Sequence, residues 1–202
     1  MKAMKVKHFI FLFFILVAHY STATAQLVAD KELKQTNTDT IDVEHYRKLF
    51  SDSLPKPYSW TNDYAWLYST AQRNYLDSTI ADFEKRTTVE ICIVTLDTFC
   101  ISDENFDALA LKIATTWGVG KKETNNGVVI CISPGYRKIR VCNGFGIEKY
   151  LSDAETKKII DDTILSQFKE GNYFSGTVAG LIAIMGKLSP FYSPSQNHSP
   201  GN

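Results

Sequence analysis

The stretch NNGVVICISPGYRKIRVCNGFG, residues 125–146, holds the side chains of this chain best suited to chemistry, and they lie at its two ends. Two apolar runs meet at Pro134-Gly135, which reads as the turn of a hairpin. With that pair at the centre of the turn, Ser133 faces Tyr136, and counting back sets Asn126 opposite Asn143 to within one residue. The open end then gathers asparagine and glycine from both strands. Gly127, Gly144 and Gly146 allow close backbone approach. Asn125, Asn126 and Asn143 offer amide oxygens, and Asp153 and Glu155 follow at the start of a helix. Oxygen donors without nitrogen or sulfur are the set that a hard cation takes, calcium or magnesium. The same residues also read simply as the ends of two strands, and that reading stands beside the first.

Other chemistries find less support. His8 and His19 fall in an export signal, His45 in a polar linker and His198 in a tail, which excludes a histidine-dependent nucleophile or His-ligated zinc from the core. Cys131 and Arg137 have the C-x5-R spacing of cysteine-dependent phosphatases. That mechanism needs a helix N-terminus after the loop, whereas KIRVCNG, residues 138–144, reads as a strand. Gly144 and Gly146 form a GxG after a strand, but the third small residue of a dinucleotide fingerprint is replaced by Lys149. Cys92, Cys100, Cys131 and Cys142 include no CxxC pair, and three of them sit within apolar, strand-like runs as small hydrophobes. Export permits a disulfide among them.

The elements that must position these residues alternate between strand and helix. Lys2, Lys5 and Lys7 precede an apolar run from Phe9 to Ala18 and then Ala23-Thr24-Ala25, a secretory signal cleaved after Ala25. The run is shorter than the ~20 residues of a spanning helix, so the mature chain is expected to be periplasmic or extracellular, with no stable membrane span. Lys+Arg and Asp+Glu both number 22, and this balance gives nucleic acid no basic field to bind. Residues 26–54 read as a polar linker, residues 55–188 as the domain and residues 189–202 as a disordered tail. Leu76, Ile80 and Phe83 set one face of a helix over residues 69–85, and VEICIVTLD reads as a strand covered on both faces. A helix over residues 103–117 buries Phe106, Leu109, Ala110, Ile113 and Trp117 and stops at Gly118. Further helices start at Ser152 and near Tyr173. The order predicts an α/β, three-layer, Rossmann-like sandwich with a mixed sheet flanked by helices.

Five motifs in order resemble the TPM domain family. They are Thr61-Asn62-Asp63-Tyr64-Ala65 with Leu67, Trp117-Gly118-Val119-Gly120, Asn125-Asn126-Gly127-Val128, Arg137 to Arg140, and Gly144 with Gly146; the match extends past Leu151-Ser152-Asp153 and covers roughly residues 58–187. The resemblance implies an exported domain, acid phosphatase activity in some members, and calcium bound by loops near the D-N-G segment. Carried over, it sets Asp63, Asn126, Gly127, Gly144 and Gly146 near the site. The D-N-G aspartate is Asn125 here, which removes a formal charge and leaves Asp63 and Asp153 as the carboxylates for a cation. Two functions follow as expectations: a metal-assisted phosphatase-like hydrolase, or a non-catalytic module that binds envelope proteins in assembly, repair or quality control. The second rests on the aromatic series Tyr58, Trp60, Tyr64, Trp66 and Tyr68, whose other explanation is burial against the first helix.

Overall fold

The computed structural model describes residues 47–192. The segment read as an export signal, the segment read as a linker up to residue 46, and residues 193–202 lie outside them. Four strands form one sheet in the order β1-β2-β3-β4: β1 (Thr61–Asp63), β2 (Glu90–Thr95), β3 (Gly127–Ser133) and β4 (Lys138–Asn143). The first three are parallel, and β4 runs antiparallel to β3. The mixed sheet of the sequence prediction is therefore present.

Helix α1 (Thr70–Thr87) begins at a capping box, in which Ser69 accepts from the Gln72 N–H and the Gln72 side chain accepts from Ser69 N–H. Its buried stripe is the predicted one, Leu76, Ile80 and Phe83. Each of these removes enough apolar surface from water to contribute about 1.5–3 kcal/mol. They pack with Ile91, Ile93, Val128, Ile130 and Ile132, the residues of β2 and β3 on that face. The alternate residues, Cys92, Val94, Val129 and Cys131, turn to the opposite face. There α2 (Phe106–Trp117) buries Phe106, Leu109, Ala110 and Ile113 after a single 3-10 turn at Asp103–Asn105. Gly118 ends α2 in the left-handed conformation at φ 62°. Trp117 is only half-buried, because its indole N–H turns out to donate to Pro55 O at 2.9 Å.

After the hairpin come a short helix α3 (Phe145–Glu148), α4 (Asp153–Ile159), a π-helical turn (Ile160–Ile164), α5 (Leu165–Lys169) and α6 (Tyr173–Tyr192). A Ser152/Glu155 capping box starts α4. Helix α6 is long and apolar enough to cross a membrane. Its Leu181, Ile184 and Leu188 are nonetheless part of the core beneath the sheet, and Gly176 and Gly180 let it close on Phe168 and Ile164.

Two boundaries and the hairpin register differ from the prediction. Residues 47–51 are helical, and Phe50 is buried with its ring edge-on to Tyr64 at 5.0 Å, so packing reaches back into the segment read as linker. Helix α6 continues past Ser189 to Tyr192, whose hydroxyl donates to Gly146 O at 2.8 Å. In the hairpin, Ser133 pairs with Lys138 rather than Tyr136, and Asn143 pairs with Val128 rather than Asn126. The cause is a four-residue loop, Pro134 to Arg137, with Arg137 left-handed at φ 53° and its N–H donating to Pro134 O.

Candidate functional site

The open end of the hairpin borders a cleft of about 590 Å³. One wall is the edge of α2 with the Gly118–Lys122 loop, and the other is the end of β4 with Gly144 and Phe145. Its floor includes Asn125 and Gly127. Three backbone segments meet here at distances that admit no side chain. A Cβ on Gly127 would lie 1.9 Å from Val119 O, one on Gly144 would lie 2.3 Å from Asn125 O, and one on Gly146 would lie 1.9 Å from Thr124 O. Gly146 N–H donates to Asn125 O at 3.0 Å, which ties the segments together. Asn125 is left-handed at φ 47°, a conformation asparagine tolerates better than most residues.

The predicted residues do not form one constellation. Asn125, Gly127, Asn143 and Gly144 line the cleft. Asn126 is fully buried and spent on structure: its oxygen accepts from Lys121 N–H at 2.9 Å and its amide donates to Thr88 O at 2.8 Å. Asn143 donates to Leu151 O and to Thr156 Oγ1, and its own oxygen is buried without a hydrogen-bond partner. Asp153 is exposed and lines a different depression, beside β4. Asp63 stands at the far end of the sheet. It pairs with Thr95, which pairs with Ile132, five residues along β3 from Gly127, a separation of about 16 Å at ~3.3 Å per residue.

Asp63 has a full set of partners where it is. Its side chain is wholly buried. Oδ1 accepts from Leu67 N–H at 2.9 Å and Thr95 Oγ1 at 2.5 Å, and Oδ2 from Tyr68 N–H at 3.0 Å. Arg73 approaches Oδ2 at 3.4 Å. The carboxylate thus organises the turn between β1 and α1, which explains an Asn-Asp motif ahead of a helix without invoking a ligand.

The structure adds residues that the sequence reading missed. Lys121 and Lys122 lie on the cleft with Glu148, and exposed Leu111 and Phe145 flank it. Lys121 bridges Glu90 and Glu84, and these carboxylates raise its ammonium above the ordinary lysine range, Glu90 contributing most. The available signals were a lysine pair next to the WGVG turn and an aromatic residue held between two glycines. Neither is informative without knowing that the two loops meet.

As a site for a hard cation the cleft is poorly equipped. Calcium takes ~6–8 oxygen ligands, weighted towards carboxylates, whereas here Glu148 is the one lining carboxylate and two lysines stand beside it. Among the described residues no group of three or more His, Cys, Asp or Glu side chains could hold a metal. The four cysteines are free thiols. Burial pushes Cys92 and Cys100 up to about 12 and drives Cys131 well above the usual thiol range. Cys131 lies within β3, so it forms no phosphate loop with Arg137. The aromatic series divides: Tyr68 is buried, while Tyr58 and Trp66 are exposed.

A mixed four-stranded sheet between helical layers, closed at one end by glycine-packed loops, defines the class as an α/β sandwich. The TPM domain model matches residues 61–187, and the chain belongs to the TPM domain family. It is similar to the N-terminal domain of a Porphyromonas gingivalis protein solved by NMR, at 28% identity and a TM-score of 0.60, covering 77% of this chain and 94% of that one. The BA42 protein of the psychrophile Bizionia argentinensis shares the fold at 22% identity and a TM-score of 0.54, covering 62% of this chain and 83% of that one. So does the N-terminal domain of a Corynebacterium glutamicum protein at 15% identity and a TM-score of 0.51, covering 73% and 94%. No protein of curated function matches.

Proposed function

We propose that this chain is an exported ligand-binding TPM domain whose cleft holds an anionic, phosphate-type group. The observation that carries this reading is the composition of the cleft. Lys121, already paired with Glu84 and Glu90, and Lys122 lie on the cleft with Glu148 as the one lining carboxylate, and the exposed side chains of Leu111 and Phe145 lie on the same rim. Lys122 supplies a point charge for the anion, and the apolar rim supplies a surface for the rest of the ligand. The phosphoryl class is the one that the family resemblance implies. Turnover needs more than binding: hydrolysis requires a nucleophile or an activated water, and the lining residues provide no pair of carboxylates and no histidine. The cleft therefore binds its ligand without efficient catalysis, in a periplasmic or extracellular setting where an envelope protein would carry or present the ligand.

Metal-assisted hydrolysis is the second reading. The buried Asn143 oxygen that lacks a partner favours it, since a cation or a water would satisfy that atom. Calcium or magnesium would then be held by Asn125, Asn143 and Glu148, with Asp63 at the far end of the sheet and Asp153 lining a separate depression. The two readings separate in one experiment on the mature domain. Amide NMR shifts are followed while phenyl phosphate, and separately calcium and magnesium, are added. Binding of phenyl phosphate without metal, with shifts at Lys121 to Gly127 and Asn143 to Gly146 and at least fivefold weakening in Lys122→Glu, is the expected result. Shifts that appear only with metal, together with metal-dependent cleavage of p-nitrophenyl phosphate, would favour the second reading. If neither ligand moves these amides, the cleft is not the site.

A further inference from the structure

A second depression, of about 670 Å³, runs along the outer side of β4 and is separate from the cleft. Its geometry follows from one hydrogen bond. Gly144 N–H donates to Gly127 O at 2.8 Å, so this is a hydrogen-bonded pair of the antiparallel ladder, and such pairs alternate. Lys138, Arg140 and Cys142 therefore direct their backbone groups to β3, while Ile139, Val141 and Asn143 direct theirs outward. Because β4 is the last strand of the sheet, no strand among the described residues takes up those outward groups. An edge of this kind is a template for another strand unless something blocks it.

The groove beside the edge has two chemical sides. Ile139 and Val141 pack at the border of the core, and Ile160 and Leu165 from the π-helical turn and α5 extend the apolar wall. Arg137, Lys138, Arg140 and Lys157 line it against Asp153 and Asp161, of which Asp161 pairs with Lys157. Arg137 is exposed. Lys138 and Arg140, both half-buried, also reach the exposed Asp103 and Asp107 at 2.9 and 3.3 Å, surface pairs of a kind that contributes little and for which a strand's carboxylates would compete. Along an added strand, side chains alternate between the two faces.

We propose that β4 is a docking edge for an extended segment of another protein in which apolar and acidic residues alternate, bound as a fifth strand. Its apolar side chains lie on the Ile139 and Val141 side, against Ile160 and Leu165, and its carboxylates lie on the Lys138 and Arg140 side. A second copy of this chain suits the edge less well, because it would bring the same cationic rim to face itself. The proposal is independent of the ligand assigned to the cleft.

The test uses the mature protein and a capped heptapeptide of alternating glutamate and valine. Expected are amide shifts centred on Ile139, Val141 and Asn143, and weaker binding in higher salt. Two peptides N-methylated on either the valines or the glutamates then probe the backbone. One set must lose at least tenfold in affinity and the other stay within about threefold, the valine set for antiparallel addition and the glutamate set for parallel. Val141→Pro, which removes an outward N–H from an edge strand, must lose binding while keeping the shifts of β1 and β2. Should that variant not fold, the methylated peptides decide alone. Equal loss in both sets, shifts centred elsewhere, no shifts at millimolar peptide, or a dimer of this chain through β4 would each overturn the proposal.

Discussion

Replacing Asp63 by asparagine separates a structural carboxylate from a metal ligand, because the two roles predict opposite signs in the absence of metal. The buried side chain receives Leu67 N–H, Tyr68 N–H and the Thr95 hydroxyl at 2.5–3.0 Å. Asparagine keeps the shape and one acceptor oxygen. If that oxygen stays with Leu67 and Thr95, the new NH₂ group faces Tyr68 N–H, and a buried donor is left without an acceptor. An orphaned buried donor costs about 1–3 kcal/mol, and hydrogen bonds to a charged group contribute roughly 1.5–3 kcal/mol. The overlap of these two figures puts the total near ~3 kcal/mol. For a domain of ~150 residues, each kcal/mol lowers Tm by about 2–4 °C, so Asp63→Asn should melt roughly 6–12 °C below the parent.

The assay is urea and thermal unfolding of the protein at pH 7 with chelator present, repeated with millimolar calcium. Were Asp63 a ligand held beside other oxygens, removing its charge without metal would relieve repulsion and leave stability unchanged or higher. An unchanged Tm with chelator, coupled to loss of a calcium-dependent increase, would refute the structural assignment. A drop of the expected size that calcium does not alter would support it.

Two further outcomes follow from the structure. Glu155 accepts from Lys187 at 3.0 Å and from Ser152, and these contacts, Lys187 first, lower its carboxyl from 4.5 to about 2. A depressed folded value means that the contribution is present above the ordinary pKa and is lost as pH falls from about 4.5 to about 2. Glu155→Gln should therefore be less stable than the parent at pH 7 and converge on it as pH falls below about 2; a gap that persists there counts against the assignment. For the thiols, native protein at pH 8 should react with Ellman's reagent at half-buried Cys142 well before Cys92, Cys100 or Cys131, whose burial keeps them protonated. Rapid release of several equivalents from folded protein would contradict this.

The sequence was most legible where the controlling interactions are local. The stripe Leu76, Ile80 and Phe83 and the stop at Gly118 depend on periodicity and on one left-handed residue, and both were readable. So was the Asp153 and Glu155 helix start, since a capping box is complete within four residues. The hairpin register was not, because it depends on Arg137 adopting φ 53° and lengthening the loop beyond Pro134-Gly135. The π-helical turn at Ile160–Ile164 was not legible either: its local sequence carries no signal for the extra residue, and its Ile164 packs against Gly180 of α6, far along the chain. Asp63 was grouped with the asparagines because family motifs list residues in chain order. Only the parallel register of β1, β2 and β3 reveals that they occupy opposite ends of the sheet.

That register also answers why both ends of the hairpin carry asparagine and glycine. The glycines are required by backbone crowding: Gly127 against Val119, Gly144 against Asn125, and Gly146 against Thr124 leave no room for a Cβ. Asn125 supplies a left-handed turn, and Asn126 cross-links the loop to Thr88 and Lys121. Two of the three asparagines are thus explained by architecture alone, and a similar pattern in another sequence would be weak evidence for a cation. Close packing of these segments nevertheless has a chemical consequence. It brings the Gly118–Lys122 loop and the Gly144-Phe145 corner to face each other across a cleft, so that lysines and an exposed aromatic residue distant in sequence share one rim. In the function proposed for this cleft, the side chains at positions 121, 122, 145 and 148, which the glycine contacts bring together, set what it binds.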